Sequence, residues 1–357
     1  DLFNEVEMPL VPVLADMEFE GINLDTDFLA AFSKDITKDL VKIRDKIFKI
    51  SGAEFNLDSP RQLGDILFNK MEIPYEWKKT STGQFSTNEQ VLRSLEARYD
   101  IAKEMLNYRE LNKLRSTYVD SLPLLVNPKT KRIHTSYHQA VAATGRLASQ
   151  NPNLQNIPIR SEIGRRTRQA FVPRDKSYVL LAADYSQVEL RIIASLSGDE
   201  NMIEAFNEGQ DIHAATASKV FDVPIKEVTR DHRGRAKAVN FGLIYGQGAF
   251  GLSQNLGIKR GEAKEIIDNY FEKYPGLRKY MDDSKEFAKE NGYVQTILGR
   301  KRYLPDINSR NFTVRGFAER NAINAPIQGS AADMIKLAMI NLYKEMKKLK
   351  MQSKMLL

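Results

Sequence analysis

Residues 231–246 read DHRGRAKAVNFGLIYG, and this stretch carries more information about the fold than any other part of the chain. If it is helical, every fourth side chain lies on one slowly winding face. Along that face two cations, Arg233 and Lys237, precede two aromatic rings, Phe241 and Tyr245. Cations suit a polyphosphate, and aromatic rings suit a base and a sugar, so the pattern predicts a nucleotide site. The spacing alone also fits a solvated basic face followed by core aromatics.

A carboxylate lies upstream, at the end of the apolar run YVLLAA (178–183). A continuous apolar run predicts a strand buried on both faces, with Asp184 just past its end. Carboxylate oxygens hold Mg²⁺, which a nucleotidyl transferase needs, although an Asp here could equally cap a helix or form a turn. The helix that follows is expected to end at Gly198. Its start, Ser186-Gln187-Val188-Glu189, matches a capping box.

Local signals predict the remaining elements. Ser59 is expected to cap a helix that begins at Pro60. In the first part of the chain we expect a short helix and then a strand within 1–25, a helix over 27–50, a basic loop at 78–87, a long helix over 89–121 and an extended segment at 132–137. Most of 200–290 is expected to be helical, with breaks at Gly209, Gly246 and Gly248. The last expected elements are a hairpin over 292–304 that turns near Gly299 and helices over 311–324 and 330–348.

Composition and motifs exclude several classes of protein. The 357 residues are 42% hydrophobic and 28% charged, as in a globular protein, and no apolar run is long enough to span a membrane. The acidic start argues against a signal peptide, which predicts a cytoplasmic location, and the absence of cysteine excludes disulfides. A net charge of +7 is compatible with nucleic acid. The G-x-G-x-x-G pattern at 246–251 follows a helical stripe rather than a strand, so we do not interpret it as a dinucleotide site.

The segments around Asp184 and Arg233 resemble motifs A and B of the A-family DNA polymerases. The resemblance covers essentially the whole chain in the same order and includes three further strings: TGRL (144–147), NLQNIP (153–158) and NAPIQG (324–329).

The resemblance implies an α+β fold with the right-hand polymerase architecture of thumb, palm and fingers, mostly helical with an antiparallel palm sheet. The implied divisions are a junction from an exonuclease-like domain outside this sequence (1–26), the thumb (27–125), the first part of the palm (126–200), the fingers (201–328) and a second, truncated part of the palm (329–357).

The implied metal ligands are the Asp184 carboxylate and the backbone carbonyl of Tyr185, and the implied catalytic residues are Asp184, Arg233 and Lys237. Two Mg²⁺ ions are expected, the second aspartate coming from the family's motif C, a His-Asp-Glu after an apolar strand. The four histidines of this sequence precede Thr, Gln, Ala and Arg, so the motif does not occur in it: His134, His138, His213 and His232. We expect that segment to follow Leu357 in the whole protein, because a missing palm strand would leave a sheet edge unpaired.

The nucleotide-binding residues that the resemblance implies are Gln187, Glu189, His213, Arg233, Lys237, Phe241 and Tyr245. His213 and the two cations would contact the triphosphate, Phe241 would lie against the sugar and base and disfavour dideoxynucleotides, and Tyr245 would guard the template position. Glu189 would exclude a ribose 2′-hydroxyl, a role that is compatible with a capping box.

Three residues match those that touch the primer–template: Arg146, Asn324 and Gln328. Donors of this kind can read minor-groove acceptors common to all base pairs. The alternative for Asn324 and Gln328 is capping at a helix break near Pro326. The partners implied are primer–template DNA and deoxynucleoside triphosphates, for a monomer working in the bacterial cytoplasm at the nucleoid without a membrane.

The implied function is template-directed DNA synthesis, in which deoxynucleotides are added to a primer 3′ end by two-metal nucleotidyl transfer. A catalytically crippled, duplex-DNA-binding fragment is the alternative if the second aspartate is absent. A third candidate is a single-subunit RNA polymerase. That class uses a similar palm, but a glutamate at position 189 that excludes a 2′-hydroxyl fits it poorly. Primer extension separates the first two functions, and replacing deoxynucleotides by ribonucleotides separates the third.

Overall fold

The computed structural model describes residues 2–159 and 161–356. The α-helices in chain order are α1 (Met8–Glu20), α2 (Thr26–Ser51), α3 (Pro60–Gly64), α4 (Glu89–Leu95), α5 (Asp100–Leu114), α6 (Glu162–Arg168), α7 (Val188–Ser197), α8 (Glu200–Asn207), α9 (Ile212–Phe221), α10 (Arg230–Ile244), α11 (Ala249–Leu256), α12 (Arg260–Lys273), α13 (Pro275–Asn291) and α14 (Phe312–Lys348). The β-strands are β1 (Ile22–Leu24), β2 (Arg132–Ile133), β3 (Ser136–His138), β4 (Ala148–Gln150), β5 (Phe171–Val172), β6 (Tyr293–Gln295) and β7 (Lys301–Tyr303).

Short irregular helices extend or join these elements. Three of them are π-helical (Phe3–Glu7, Asp65–Lys70 and Arg115–Val119) and two are 3₁₀ turns (Leu122–Leu125 and Ile225–Glu227). No helix among the described residues combines the length and the apolar character that crossing a membrane requires.

The chain forms two compact units, and one of them takes residues 17–136, 149–159, 161–181 and 356. Asp25 begins α2 by accepting a hydrogen bond from the Phe28 N–H (2.8 Å), and Gly52 ends it in the left-handed conformation. The predicted helix over 27–50 is thereby confirmed. Ser59 caps α3 in the same way, with Pro60 as its first residue, as predicted.

A three-stranded antiparallel sheet in this unit has β1 between β2 and β5. Gly21 (φ +61°) makes the turn into β1, and a Cβ there would lie 2.6 Å from the Ile133 carbonyl oxygen. Only glycine permits both the backbone conformation and this close approach.

The predicted long helix over 89–121 is wrong, because the chain breaks between α4 and α5. The Leu95 carbonyl accepts hydrogen bonds from the N–H groups of both Arg98 and Tyr99, which closes a turn. Leu92 of α4 and Met105 of α5 can then enter the same core, whereas a straight helix would carry them roughly 20 Å apart at 1.5 Å per residue.

The other unit takes residues 2–16, 137–148 and 182–355. Helices α7 to α13 surround a core that includes Ile193, Leu243 and Tyr270, and α14 adds Ile327 and Ala331 to it. The breaks at Gly209, Gly246 and Gly248 fall between these helices, and Gly198 ends α7, as predicted. The hairpin of β6 and β7 is also confirmed, with Tyr293 opposite Tyr303 and Gly299 at φ +81° in the turn.

The predicted break between helices 311–324 and 330–348 is wrong, since α14 runs through it. Pro326 in a helix interior costs about 3 kcal/mol, but Ala325, Pro326, Ile327 and Ser330 are all buried here. Burial of this segment offsets the local cost. Capping at a helix end therefore does not explain Asn324.

The predicted buried strand over 178–183 is also wrong. The segment has no regular secondary structure, and Val179 and Leu181 are 86% and 90% exposed. A strand exists only when its backbone groups pair with a neighbour, and no described strand pairs with this segment. Asp184 consequently follows an irregular, exposed segment.

Candidate nucleotide site

As predicted, α10 and its C-terminal end carry the four residues spaced by four. We call them the stripe: Arg233, Lys237, Phe241 and Tyr245. Thr229 caps the helix by accepting a hydrogen bond from the His232 N–H (3.2 Å), and the His232 ring returns to the Thr229 N–H. Arg233 and Lys237 are exposed. The half-buried rings of Phe241 and Tyr245 stack with their centroids 6.1 Å apart. Cationic and aromatic side chains thus follow one another along the helix.

Arg233 at the cationic end pairs with Asp211. Its Nε and one terminal nitrogen donate to a single carboxylate oxygen at 3.0 and 2.8 Å. Burial alone would raise the pKa of Asp211, but the hydrogen bonds from Arg233 and from the Ala214 N–H outweigh it and leave the pKa below its usual value. Asp211 also caps α9, a role that the sequence pattern Asp211-Ile212-His213 could have indicated.

His213 lies in the first turn of α9 and is 3% exposed. Its ring centroid is 5.7 Å from that of Phe241, and its Nδ1 is 3.1 Å from the Asn240 amide nitrogen. Burial lowers the pKa of His213 to about 4, while Asp211 opposes this and the positive charges of Arg233 and Lys237 add to it. The ring is therefore neutral at physiological pH.

Glu189 at the start of α7 joins the aromatic end of the stripe. One carboxylate oxygen accepts a hydrogen bond from Arg146 at 2.6 Å, and the other accepts one from the Tyr245 hydroxyl. Burial and the neighbouring carboxylate raise the pKa of Tyr245, so its hydroxyl keeps the proton that it donates. Arg146, Glu189 and Tyr245 therefore form one connected cluster.

The predicted capping box at the start of α7 is wrong. Gln187 occupies the cap position in the left-handed conformation (φ +56°) and makes no capping hydrogen bond with its side chain. With the cap at Gln187, Glu189 is the second helical residue rather than the third, and its carboxylate bonds to Arg146 and Tyr245. The contacts of Glu189 thus leave it available for the nucleotide role but not for the cap.

The loop that carries Arg146 rests on a buried ionic cluster. Gly145 (φ +78°) lies so close to Arg300 that a Cβ would be 2.5 Å from the arginine Nε. Arg300 donates to Asp333 at 2.8 and 2.6 Å and also pairs with Glu7, which in turn pairs with the buried Lys336 at 2.8 Å. Sequence analysis did not identify this cluster, because its members are far apart in the chain.

Asn324 of α14 reaches the same region. Its amide nitrogen donates to the Tyr245 carbonyl oxygen at 3.4 Å, while its Oδ1 is buried and accepts no hydrogen bond within 2–159 and 161–356. A buried acceptor without a donor is uncommon and is suited to a ligand. Gln328 lies one helical turn later and is half-buried.

Asp184 and Tyr185 are exposed on the segment before α7, and no hydrogen bond, ion pair or ring contact among the described residues joins them to Arg233, Lys237, Phe241 or Tyr245. No group of three or more His, Asp or Glu side chains among the described residues is arranged to hold a metal ion. One carboxylate and one backbone carbonyl are hard oxygen ligands of the type that Mg²⁺ prefers, and Mg²⁺ commonly keeps waters and substrate phosphates as its other ligands. The chemistry of this pair fits the ion.

Asn240 is a further residue that sequence analysis missed. It is fully buried on the inner face of α10, between Ala236 and Leu243 at helical spacing. A polar residue on an otherwise apolar helical face was the signal that could have identified it, because buried amides are retained only with hydrogen-bond partners.

Comparisons with known proteins address the family to which the chain belongs. The family model for DNA polymerase family A matches residues 26–357. DNA polymerase I of Geobacillus stearothermophilus is 50% identical over 356 residues, which is 100% of this chain and 40% of that protein. DNA polymerase I of Pseudomonas aeruginosa is 52% identical over 340 residues, 95% of this chain and 37% of that protein. The chain therefore spans about two fifths of the length of these relatives.

The POL domain of Pol1 from M. smegmatis, solved as a complex with DNA primer-template and dNTP, superposes with a TM-score of 0.92. That chain is 44% identical, and the match covers 100% of this chain and 62% of the other. The α+β polymerase fold that the sequence predicted is confirmed. With a family match across nearly the whole chain and half of its residues identical to those of DNA polymerase I, this chain belongs to DNA polymerase family A.

Proposed function

We propose that this chain is the polymerase region of a larger enzyme that adds deoxynucleotides to a primer 3′ end as directed by a template. The observation that carries the proposal is the series of contacts from His213 through Phe241 and Tyr245 to Glu189, with the charge of Arg233 acting on His213 at the other end. It offers charge for a triphosphate at one end and a constrained carboxylate for a sugar at the other.

At the cationic end, Arg233 and Lys237 would bind the triphosphate. The pair between Arg233 and Asp211 is partly exposed, and such pairs contribute only ~0–1 kcal/mol. A triphosphate carries more negative charge than one carboxylate, so Arg233 can exchange Asp211 for phosphate oxygens. Its fork geometry would then orient the phosphates, while Lys237 supplies a mobile charge.

At the aromatic end, Phe241 would lie against the sugar and base, and Tyr245 would cover the template position. Glu189 would stand where a ribose 2′-hydroxyl needs space. Because Arg146 and Tyr245 hold both carboxylate oxygens, Glu189 cannot easily rotate away, and a constrained group discriminates better than a mobile one. Arg146, Asn324 and Gln328 would contact the primer–template.

The ion-binding residues would be Asp184, through its carboxylate, and Tyr185, through its carbonyl oxygen, in a two-metal reaction with Mg²⁺. When bound, Mg²⁺ neutralises charge on the phosphates and makes the primer 3′-hydroxyl easier to deprotonate.

We extend the proposal to the divisions of the chain, with a thumb at 27–125, palm at 126–200 and 329–357, fingers at 201–328 and a junction at 1–26. The enzyme would act as a monomer at the bacterial nucleoid.

The test is primer extension with Mg²⁺ by the full-length protein, comparing wild type with Asp184→Asn. This change keeps the shape of the side chain and removes its charge, and we expect the extension rate to fall by at least about 100-fold. Asp268→Asn, on the exposed face of α12, is the matched control and should leave the rate unchanged.

Binding of primer–template should survive in Asp184→Asn, as a mobility-shift titration would report. An extension rate that is insensitive to Asp184→Asn would overturn the metal role. Wild-type protein that binds duplex DNA without extending it would support the alternative of a binding fragment. Faster extension with ribonucleotides than with deoxynucleotides would instead point to an RNA polymerase.

A further inference from the structure

We propose that Asn240 is a positioning residue that fixes the His213 ring in the neutral tautomer with its proton on Nε2, so that the ring presents an N–H donor to phosphate oxygens of the incoming nucleotide. The inference rests on the proposed function, because a triphosphate is the ligand that such a donor would meet beside Arg233 and Lys237.

The geometry between the two side chains defines the tautomer. Asn240 is fully buried, and its amide nitrogen is 3.1 Å from Nδ1 of His213. An amide N–H can only donate, so Nδ1 must accept and carries no proton. The single proton of the neutral ring is then on Nε2.

A network behind Asn240 suits the orientation in which its N–H₂ group faces the ring. The Tyr270 hydroxyl is 3.0 Å from the Asn240 Oδ1, and burial raises the pKa of Tyr270 well above its usual value, so this hydroxyl remains a donor. Thr216 bonds to both ends of the amide, at 3.2 Å to Oδ1 and 3.0 Å to Nδ2, and also to the Tyr274 hydroxyl at 3.1 Å. With its oxygen turned toward Tyr270, Asn240 has its N–H₂ group toward His213.

The charges around the ring suit this role. Asp211, Arg233 and Lys237 are the charged groups that act on His213, and burial keeps the ring itself uncharged. Arg233 and Lys237 would supply the positive charge for the triphosphate. The His213 ring would add a directed hydrogen bond without a further charge. A buried partner that sets the tautomer is also the usual way in which proteins orient a functional histidine.

The test is a double-mutant cycle in the full-length protein, measuring KM for the incoming dNTP and kcat separately. Asn240→Leu keeps the volume of the side chain and removes its donor. We expect this variant and His213→Ala each to raise KM about tenfold. In the His213→Ala background, Asn240→Leu should produce no further increase, because Asn240 acts through the ring.

The outcomes separate this inference from the function on which it rests. A KM increase from Asn240→Leu that persists in full in the His213→Ala background would overturn the positioning role and leave the proposed function intact. Unchanged KM in His213→Ala would overturn both the positioning role and the triphosphate contact of His213. Undisturbed primer–template binding by each variant controls for loss of the fold.

A second variant gives a spectroscopic readout. Asn240→Asp keeps an acceptor for Tyr270 but places a carboxylate oxygen against Nδ1, so the pKa of His213 should rise. Deuterium exchange at the ring C2 position, followed by mass spectrometry of the His213 peptide, reports this pKa in the full-length protein. KM for dNTP should then become pH-dependent near neutrality, and a ring pKa identical to that of wild type would overturn the contact.

Discussion

The Glu189 carboxylate accepts a hydrogen bond from the Tyr245 hydroxyl, which joins the first turn of α7 to the end of α10. Arg146 holds the other carboxylate oxygen at 2.6 Å. With both oxygens engaged, the side chain has one orientation, and an oriented carboxylate can reject a sugar that carries an additional hydroxyl. Glu189 does not complete the predicted capping box, because the helix cap is Gln187 rather than Ser186.

Replacing Glu189 tests whether its carboxylate excludes the ribose 2′-hydroxyl, a role that we call the sugar gate. In Glu189→Ala the space for a 2′-hydroxyl opens, and we expect the ratio of ribonucleotide to deoxynucleotide incorporation to rise by about tenfold or more, which corresponds to ~1–3 kcal/mol of lost discrimination. Single-nucleotide primer extension with each substrate measures kcat/KM for both. Glu189→Gln, which retains the volume, should keep most of the selectivity.

A more conservative change separates the orientation of Glu189 from its bulk. Tyr245→Phe removes one anchor of the carboxylate and should raise the same ratio by less than Glu189→Ala does. In the Glu189→Ala background it should have no further effect. Tyr303→Phe, at a tyrosine that is 67% exposed, is the control. If the ratio stays at the wild-type value in both Glu189→Ala and Tyr245→Phe, the gate assignment is wrong.

Asp211 pairs with Arg233 and caps α9, so under the proposed function it would compete with the nucleotide for Arg233. Asp211→Asn keeps an oxygen for the Ala214 N–H, so the free energy of unfolding should change by less than ~1 kcal/mol. The same change removes the competing negative charge, and a partly exposed ion pair is worth ~0–1 kcal/mol, so KM for dNTP should fall by up to about fivefold. Steady-state extension at varied dNTP concentration measures this.

Asp211→Ala is the matched comparison, because it removes both the charge and the cap. It should lower KM in the same way but destabilise the protein by about 1 kcal/mol. A higher KM in Asp211→Asn would contradict the prediction and would mean that Asp211 orients Arg233 for the triphosphate rather than competing with it.

The comparison of sequence and structure separates local signals from non-local ones. Gly198 ends a helix and Gly299 lies in the turn of a hairpin, as predicted. A glycine at positive φ changes the direction of the backbone locally, so its effect can be predicted from the adjacent residues. The stripe on α10 was also predicted, since its spacing lies within one helix. Glu189 differed: its partners are 43 and 56 residues away, and local pattern cannot weigh such contacts against a capping box.

Two of the wrong secondary-structure predictions, the helix break near Pro326 and the strand over 178–183, have the same origin. Pro326 predicts a helix break locally, but the burial of its neighbours decides the outcome in α14. Residues 178–183 have the composition of a buried strand, yet a strand requires a partner, and composition cannot supply one. His213 could be matched by its sequence context, whereas the contacts of Asn240 with His213, Tyr270 and Thr216 exist only once α9, α10 and α12 pack together.

Glu7 makes the stability of the protein depend on pH. Burial raises the pKa of Glu7, but hydrogen bonds from Lys336 and Arg300 outweigh it and leave the pKa below its ordinary value of 4.5. The stability that Glu7 contributes is therefore complete above that value and is lost as the pH falls through the lowered pKa. Glu7→Gln leaves the buried Lys336 without its anionic partner and should cost about 3 kcal/mol at neutral pH.

Urea unfolding at a series of pH values measures this contribution. The difference between wild type and Glu7→Gln should shrink below pH 4.5, as Glu7 of the wild type becomes protonated. Glu204→Gln, at an exposed position of α8, should show little difference at any pH. A difference for Glu7→Gln that stays constant down to about pH 3 would mean that its charge does not contribute.

Gly329 lets α14 approach the loop that carries Arg146. A Cβ at this position would lie 2.5 Å from Cγ2 of Thr296 and 3.2 Å from the Thr144 carbonyl oxygen. Gly329→Ala should therefore destabilise the protein by about 1–3 kcal/mol and displace Arg146, which would weaken primer–template binding. Gly261→Ala in α12 is the matched control, because nothing lies within 4 Å of its Cβ, and better helix propensity should stabilise it by up to ~1 kcal/mol. Thermal unfolding of both variants measures the change in stability, and DNA titration measures the change in primer–template binding. Equal stability of the two would show that the gap between Thr296 and Gly329 can open without cost.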